Sequence, residues 1–205
     1  MKTFRNVIAL MLVLVLAAFA VACDEKKPAE TTGTTAATTA APTTEAPTTE
    51  APTTEKKPVA PAGYQMYKED KFGFAYPEDW TKTTQSGVVM LMNSTGAGNN
   101  VTVSYEPYSD LYSEMTLESF NRDLKPALEQ AGLAISNASV EQTESEFDVP
   151  LTKIVYTATV SGVEMKQTVV VFALGDRNYC ITVTETHPHA ALVENILATL
   201  HLVEE

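Results

Sequence analysis

The chain has 205 residues and a formal net charge of −12, with 14 basic and 26 acidic side chains. This balance disfavours nucleic acids and anionic lipid surfaces as electrostatic partners, because both attract basic proteins. Only two cysteines are present, Cys23 and Cys180. A disulfide-rich scaffold is therefore excluded.

The first 22 residues have the organisation of an export signal. Lys2 and Arg5 precede an uncharged apolar run that ends in Ala-Val-Ala-Cys at Cys23. A basic start, an apolar stretch and small residues at the end are typical of a secretory signal. The run is shorter than the roughly 20 residues of a membrane-spanning helix. It resembles a bacterial lipobox, with Ala where Leu is commonest. Residues 1–22 are predicted to be a lipoprotein signal peptide; the alternatives are an uncleaved anchor helix and an ordinary secretory signal.

Cys23 is predicted to carry the lipid once the signal has been removed. A diacylglyceryl chain together with an N-acyl chain such as palmitate anchors a protein stably, because each buried methylene contributes about 0.8 kcal/mol. The protein is then expected at the extracytoplasmic face of the cell membrane. With Cys23 lipidated, Cys180 has no intramolecular partner and is predicted to be a buried thiol.

Residues 23–61 are predicted to be a disordered tether that begins at the lipidated cysteine. The segment is rich in Thr, Pro, Ala, Glu and Lys, and Ala-Pro-Thr-Thr-Glu occurs three times in succession from Ala41. Such a composition buries too little apolar area to offset the entropy of ordering. The spaced prolines stiffen it towards polyproline II. Its role is a spacer or a glycosylated stalk. Its length favours a bacterium with one membrane.

Residues 62–205 contain the organised hydrophobic pattern and are predicted to form one domain. Alternating or continuous apolar runs between turn residues indicate strands. The predicted strands are Phe72–Tyr76, Val88–Met92, Val101–Tyr105, Ile154–Val160, Val163–Leu174 and Tyr179–Thr184. The second run is apolar throughout and predicts a strand covered on both faces, whereas the third alternates and predicts a half-buried strand. The last three runs, joined by short turns, predict an antiparallel meander.

Two helices are predicted among these strands. Leu117, Phe120, Leu124 and Leu128 recur at helical spacing, with Thr116 as an N-cap and Gly132 just past the end, and Pro126 should disturb the helix by removing a backbone donor. A second apolar stripe predicts a helix from Pro188 to about Leu200. The order of elements predicts an α+β domain, an antiparallel β-sheet flanked by helices.

The segment Tyr67 to Trp80 reads Tyr-Lys-Glu-Asp-Lys-Phe-Gly-Phe-Ala-Tyr-Pro-Glu-Asp-Trp. It resembles the opening of PsbP-like domains, the family of the extrinsic photosystem II protein and of many bacterial lipoproteins. The resemblance continues over nearly all of residues 64–205, through a middle helix, a meander and a final helix. It implies an α/β/α sandwich and an accessory or docking role, and it supplies no catalytic motif.

His187 and His189 are the candidate metal ligands of the chain, since two imidazoles close to Glu185 could bind a divalent cation. The alternative is a helix start in which His187 caps, Pro188 opens the helix and His189 is exposed. No cysteine or neighbouring third histidine completes a metal site. No metal and no cofactor are therefore predicted.

No catalytic residue is predicted. The carboxylates Asp110, Glu114, Glu118 and Asp123 surround a helix start, where they complement the helix dipole, and they lack the spacing of a calcium loop. No Gly-x-Ser-x-Gly elbow is present.

Three functions follow as hypotheses. The first is a tethered, non-enzymatic binding or accessory module for an envelope partner. The second is a small-ligand or metal-binding accessory protein. The third is a hydrolase whose site is assembled from scattered residues, which would require a pocket that holds a Ser or Cys beside a His. The membrane, reached through the lipid, and an envelope component are the expected partners.

Overall fold

The computed structural model describes residues 57–68, 71–93, 98–189 and 191–203. The predicted signal peptide and almost all of the predicted tether lie outside these residues, as do the first cysteine and residues 94–97. The ten strands are Tyr64–Lys68 (β1), Phe72–Pro77 (β2), Trp80–Gln85 (β3), Val88–Asn93 (β4), Asn100–Pro107 (β5), Ala134–Glu144 (β6), Pro150–Val160 (β7), Val163–Leu174 (β8), Arg177–Glu185 (β9) and His201–Leu202 (β10).

The strands form two antiparallel sheets. Seven of them make a large sheet in the order β3-β4-β5-β9-β8-β7-β6, and three make a small sheet in the order β1-β2-β10. The meander β7-β8-β9 is confirmed, with Val160 opposite Val163 across one turn and Leu174 opposite Arg177 across the next. In the small sheet β2 is the central strand, so the first and last strands of the domain are both its neighbours.

Two helices accompany the sheets. Helix α1 covers residues 117–130 in three successive parts, α-helical Leu117–Ser119, π-helical Phe120–Leu124 and α-helical Lys125–Gln130. Thr116 caps it as predicted: its side chain accepts a hydrogen bond from the Ser119 amide, and the Ser119 side chain accepts one from the Thr116 amide. At the other end, the Leu133 amide donates to the Leu128 carbonyl and the Gly132 amide to the Glu129 carbonyl, which is a Schellman motif.

The disturbance predicted at Pro126 takes the form of the π-helical turn that precedes it. A proline at this position cannot donate to the carbonyl four residues earlier, and its ring would crowd that carbonyl. The π turn widens the helix at that point, and the Lys125 amide donates to the Phe120 carbonyl five residues back.

Helix α2, Leu192–Thr199, is shorter than predicted. The prediction that it opens at Pro188 is wrong, because side chains hold the preceding backbone outside a helix. The amides of Thr186 and His187 both donate to the Oδ1 atom of Asn99, at 2.9 and 3.2 Å. The Asn99 amide group donates in turn to the His187 carbonyl at 2.9 Å. The cap residue Ala191 has a left-handed backbone, with φ 59°.

Hydrophobic cores lie on both faces of the large sheet. Helix α1 covers one face, where Phe120, Leu124 and Leu128 pack with residues of β7, β8 and β9. The small sheet and α2 cover the other face, where Phe72, Phe74 and Ile196 pack with residues of β4, β5, β8 and β9. The antiparallel sheet is therefore confirmed. The resemblance implied a layer of helices on each face of the sheet. On the second face, however, the three-stranded sheet contributes most of the layer.

Two predictions of strand burial need correction. Val101 and Val103 of β5 face the core as expected, but Thr102 and Ser104 on the opposite face are only 1% and 2% exposed. This strand lies inside the sheet, between β4 and β9, and is covered on both faces. Strand β4 is less buried than predicted. It was expected to be covered on both faces, but Met90 is only partly buried.

Candidate functional site: an aromatic cleft beside the sheet

A cleft of about 370 Å³ opens where the β1–β2 hairpin meets the large sheet, and we call it the aromatic cleft. Tyr67, Phe72 and Tyr179 supply aromatic wall, and Val89 and Val103 supply aliphatic wall. Tyr105, Thr84, Lys71, Asp176 and Arg177 complete the lining with exposed or partly exposed side chains. Pockets for small molecules combine an apolar lining with a few polar groups in this way.

Tyr179 of β9 is the central ring of the wall. Its ring centroid lies 5.0 Å from that of Phe72 and 5.7 Å from that of Phe172. The Tyr105 ring continues the row, 5.9 Å from Tyr179. Offset and edge-on packing at these distances is favourable. The strand pairing also places Tyr105 directly opposite Tyr179, so the two rings share one face of the sheet.

Hairpin turns bring backbone and charge to the mouth of the cleft. Gly175, with φ +62°, occupies the first of two turn positions between β8 and β9, as in a type II′ turn. Arg177 is the first residue after this turn. The β3–β4 turn contributes Gly87, which follows Ser86; both have positive φ, as a type I′ turn requires.

Cationic side chains surround the cleft in a protein that is acidic overall. The Arg177 guanidinium lies over the Tyr105 ring, 4.2 Å from its centroid. The Lys82 ammonium lies over the Tyr67 ring at 4.7 Å. Lys71 joins Arg177 as a cation of the lining itself, and its backbone carbonyl accepts a hydrogen bond from the Val203 amide at 2.9 Å. Asp176 is the one carboxylate among the described lining residues, and it is 95% exposed.

The two candidate metal ligands do not converge. The His187 Nδ1 atom lies 3.1 Å from the Thr186 hydroxyl. The His189 ring packs edge-on against Trp80, with centroids 5.8 Å apart, and its amide donates to the Glu185 carboxylate. Within the described ranges, no group of three or more His, Cys, Asp and Glu side chains is placed to hold a metal ion.

The acidic residues near helix α1 are also dispersed. Asp110 accepts a hydrogen bond from the Tyr108 hydroxyl at 2.6 Å, and Asp123 forms an ion pair with its neighbour Arg122 at 2.6 Å. Glu118 lies in the first turn of the helix, where its charge complements the dipole. Each of these three carboxylates thus has a local role.

Cys180 lies in the core beneath helix α1, and its predicted burial is confirmed. Burial raises the pKa of its thiol, and the charge of Glu106 raises that pKa further. A nucleophilic cysteine requires the opposite shift, because the thiolate is the reactive form.

Sequence reasoning missed the aromatic cleft as a site. Tyr67 was named only as the start of the PsbP-like segment and Tyr179 as the start of a predicted strand, and neither Lys71 nor Arg177 was given a binding role. These four residues belong to separate parts of the chain, and no spacing connects them. The turn Gly-Asp-Arg-Asn before Tyr179 was the only local signal, and it predicted a turn rather than a binding group.

No protein-family model matches the chain, and no curated protein matches it. Among solved structures, the solution structure of cyanobacterial PsbP (CyanoP) from Synechocystis sp. PCC 6803 is similar over 74% of this chain and 99% of that one, with a TM-score of 0.54 and 13% identity. The domain has the PsbP-like fold. The resemblance predicted from Tyr67 to Trp80 is thereby confirmed, and at this identity the likeness concerns the PsbP-like fold alone.

A crystal structure from Bacteroides thetaiotaomicron VPI-5482 is similar at a TM-score of 0.41 and 16% identity, over 65% of this chain and 46% of that one. Through the described part of the PsbP-like domain, none of the helices combines the length and the hydrophobicity needed to cross a bilayer.

Proposed function

We propose that the protein is a non-enzymatic binding module, held by lipid on Cys23 at the outer face of a bacterial membrane, and that it binds an envelope component through the aromatic cleft. The observation that carries the proposal is the cleft itself: four aromatic rings and two cations line one cavity of about 370 Å³. A pocket of apolar walls with a few convergent polar groups is the default binding site of a domain. The PsbP-like fold is compatible with this role without specifying it.

The location rests on the sequence around Cys23. The small residues before it suit a signal peptidase, and a cysteine at the first mature position is what lipid transfer requires. The Thr/Pro-rich segment that follows would hold the domain away from the bilayer.

The anchor is tested by substitution of Cys23. We expect Cys23→Ala to move the protein from the membrane fraction to the soluble extracytoplasmic fraction, because the lipid supplies the attachment. Cys180→Ala is the matched control, since the second cysteine is buried in the fold and should leave the distribution unchanged. Equal membrane retention of wild type and Cys23→Ala, after carbonate extraction of both, would contradict lipid anchoring.

The binding role is tested by photo-cross-linking in cells. A photoreactive phenylalanine analogue is placed at Tyr105, which is 46% exposed at the cleft. The control position is Val163, which is equally exposed, at 45%, on the β7–β8 turn. We expect a discrete adduct from the first position and none from the second, with loss of the adduct on the additional change Arg177→Gln. Identical patterns from both positions would show that the cleft has no selective partner.

A further inference from the structure

We propose that the aromatic cleft recognises a small organic anion with a flat apolar body, of the chemical class of aromatic carboxylates. This inference rests on the proposed function, because it names the ligand class of the same cleft. It is carried by three features of the described residues: the volume of the cavity, the excess of cationic over anionic side chains in its lining, and the position of two of the protein's own cations over aromatic rings.

The volume sets the size of the ligand. At about 370 Å³ the cleft lies towards the lower end of the range of small-molecule pockets, which is about 300–1,000 Å³. Its deep walls are the rings of Tyr67, Phe72 and Tyr179 together with Val89 and Val103. A single ring system fits such a space and would pack against the tyrosine rings in offset or edge-on geometry.

The charge at the mouth selects an anion. Lys71 and Arg177 are cations of the lining and Asp176 is its one carboxylate among the described residues, so cationic side chains outnumber anionic ones there. Arg177 has only Asp176 near it, with the Nε to Oδ1 distance at 3.9 Å, and that carboxylate is almost fully exposed. An ion pair of this kind contributes little and is easily replaced. The guanidinium fork matches the geometry of a carboxylate, which it can bind through two parallel hydrogen bonds.

The same contacts disfavour a cationic ligand. A quaternary or protonated amine would need a free aromatic face, because cation–π attraction acts over the ring. The Tyr67 face is covered by Lys82 and the Tyr105 face by Arg177. A cationic ligand would meet these two charges as well as Lys71. An anion instead gains from the two lining cations, Lys71 and Arg177.

The test uses phenylacetate as the anionic probe and phenylacetamide as its neutral match, since the two differ only in the charged group. Binding to the full chain in lipid nanodiscs is measured by saturation-transfer NMR, with empty nanodiscs as the blank. We expect phenylacetate to bind at least about tenfold more tightly, because a hydrogen-bonded charge contributes roughly 1.5–3 kcal/mol.

Four variants locate the effect. Arg177→Gln should remove most of the preference for the carboxylate, and Arg177→Lys should restore part of it, because the charge returns without the fork. Lys166→Gln is the control, since this lysine is paired with Glu185 away from the cleft. Thr84→Trp should weaken both probes by filling the cleft from an exposed lining position.

The outcomes separate the inference from the proposed function. Tighter binding of phenylacetate that depends on Arg177 supports the inference. If both probes bind equally and Thr84→Trp abolishes both, the anion class is overturned and the binding role of the cleft stands. If neither probe gives a signal above the blank, or if Thr84→Trp changes nothing, both the ligand class and the use of the cleft are overturned.

Discussion

Glu106 illustrates that the two faces of strand β5 have different chemistry. Its neighbour Tyr105 faces the aromatic cleft, whereas Glu106 faces the core beneath helix α1 and is only 8% exposed. Burial raises the pKa of this carboxyl, and a hydrogen bond from Tyr112 partly opposes that shift. Its Oε1 atom has no hydrogen-bond partner in the structure. An ionised carboxylate is costly in such a place.

Replacement of Glu106 should therefore change the pH dependence of stability. A carboxyl whose folded pKa is raised favours folding while it is protonated, and this contribution is lost as the pH rises through the folded pKa. We expect Glu106→Gln to be more stable than wild type at about pH 8, with a difference that shrinks towards about pH 5. Urea unfolding across this range measures it.

Glu141→Gln is the matched control, because that carboxylate is largely exposed and paired with Lys153. Its effect on stability should be small. A Glu106→Gln variant that loses stability most strongly at the alkaline end would contradict the burial argument.

At the scale of elements, the side chain of Thr199 forms a hydrogen bond that links helix α2 to strand β2. The Thr199 hydroxyl accepts a hydrogen bond from the Ala75 amide at 2.8 Å and donates to the Asn195 carbonyl. Both Thr199 and Ala75 are buried. This bond fixes the last turn of the helix against the central strand of the small sheet.

We expect Thr199→Val to destabilise the domain by about 1–3 kcal/mol, because it leaves the buried Ala75 amide without a partner at nearly unchanged side-chain volume. Thr168→Val is the control with the same chemical change. The Thr168 side chain is equally buried, and its hydroxyl has no hydrogen-bond partner in the structure. That variant should be neutral or more stable. Thermal unfolding of both proteins makes the comparison, and equal losses would refute it.

Strands and helices were predictable from the sequence where their buried positions are occupied by apolar residues at regular spacing. Strands β2, β7, β8 and β9 have apolar residues at the expected positions, and the cap and the end of α1 followed from Thr116 and Gly132. Strands β3 and β6 were not predicted because they are the edges of the large sheet. An edge strand with polar side chains lacks the apolar pattern of an interior one. The start of α2 was missed because Asn99, remote in sequence, binds the backbone before it.

At the scale of the whole molecule, the antiparallel fold was predictable and the site was not. Hydrophobic periodicity is local and therefore visible in the sequence. The aromatic cleft draws Tyr67 and Lys71 from the first hairpin, Tyr105 from β5, and Arg177 and Tyr179 from β9. Only the sheet order places β5 beside β9, and only the packing of the small sheet brings the first hairpin to them.

The sheet order also predicts where the molecule is most stable. Strand β9 lies between β5 and β8 and is covered by a core on each face. We expect the amides of Ile181 and Val183 to exchange with solvent most slowly, and those of β3 and of the outer part of β6 to exchange first, because protection follows burial and hydrogen bonding. Hydrogen-exchange NMR of the chain measures this order. Faster exchange in β9 than in β3 would contradict it.

The small sheet gives the molecule a mechanical weak point. Strand β1 is bonded to β2 alone, and it is the strand through which the chain enters the domain from its N-terminal side. Any tension applied at that side is therefore borne by β1 before the seven-stranded sheet is loaded. Because β1 carries Tyr67 into the aromatic cleft, the first strand to yield under tension is also one that shapes the cleft. Tension from this end would therefore distort the aromatic cleft before it reached the large sheet.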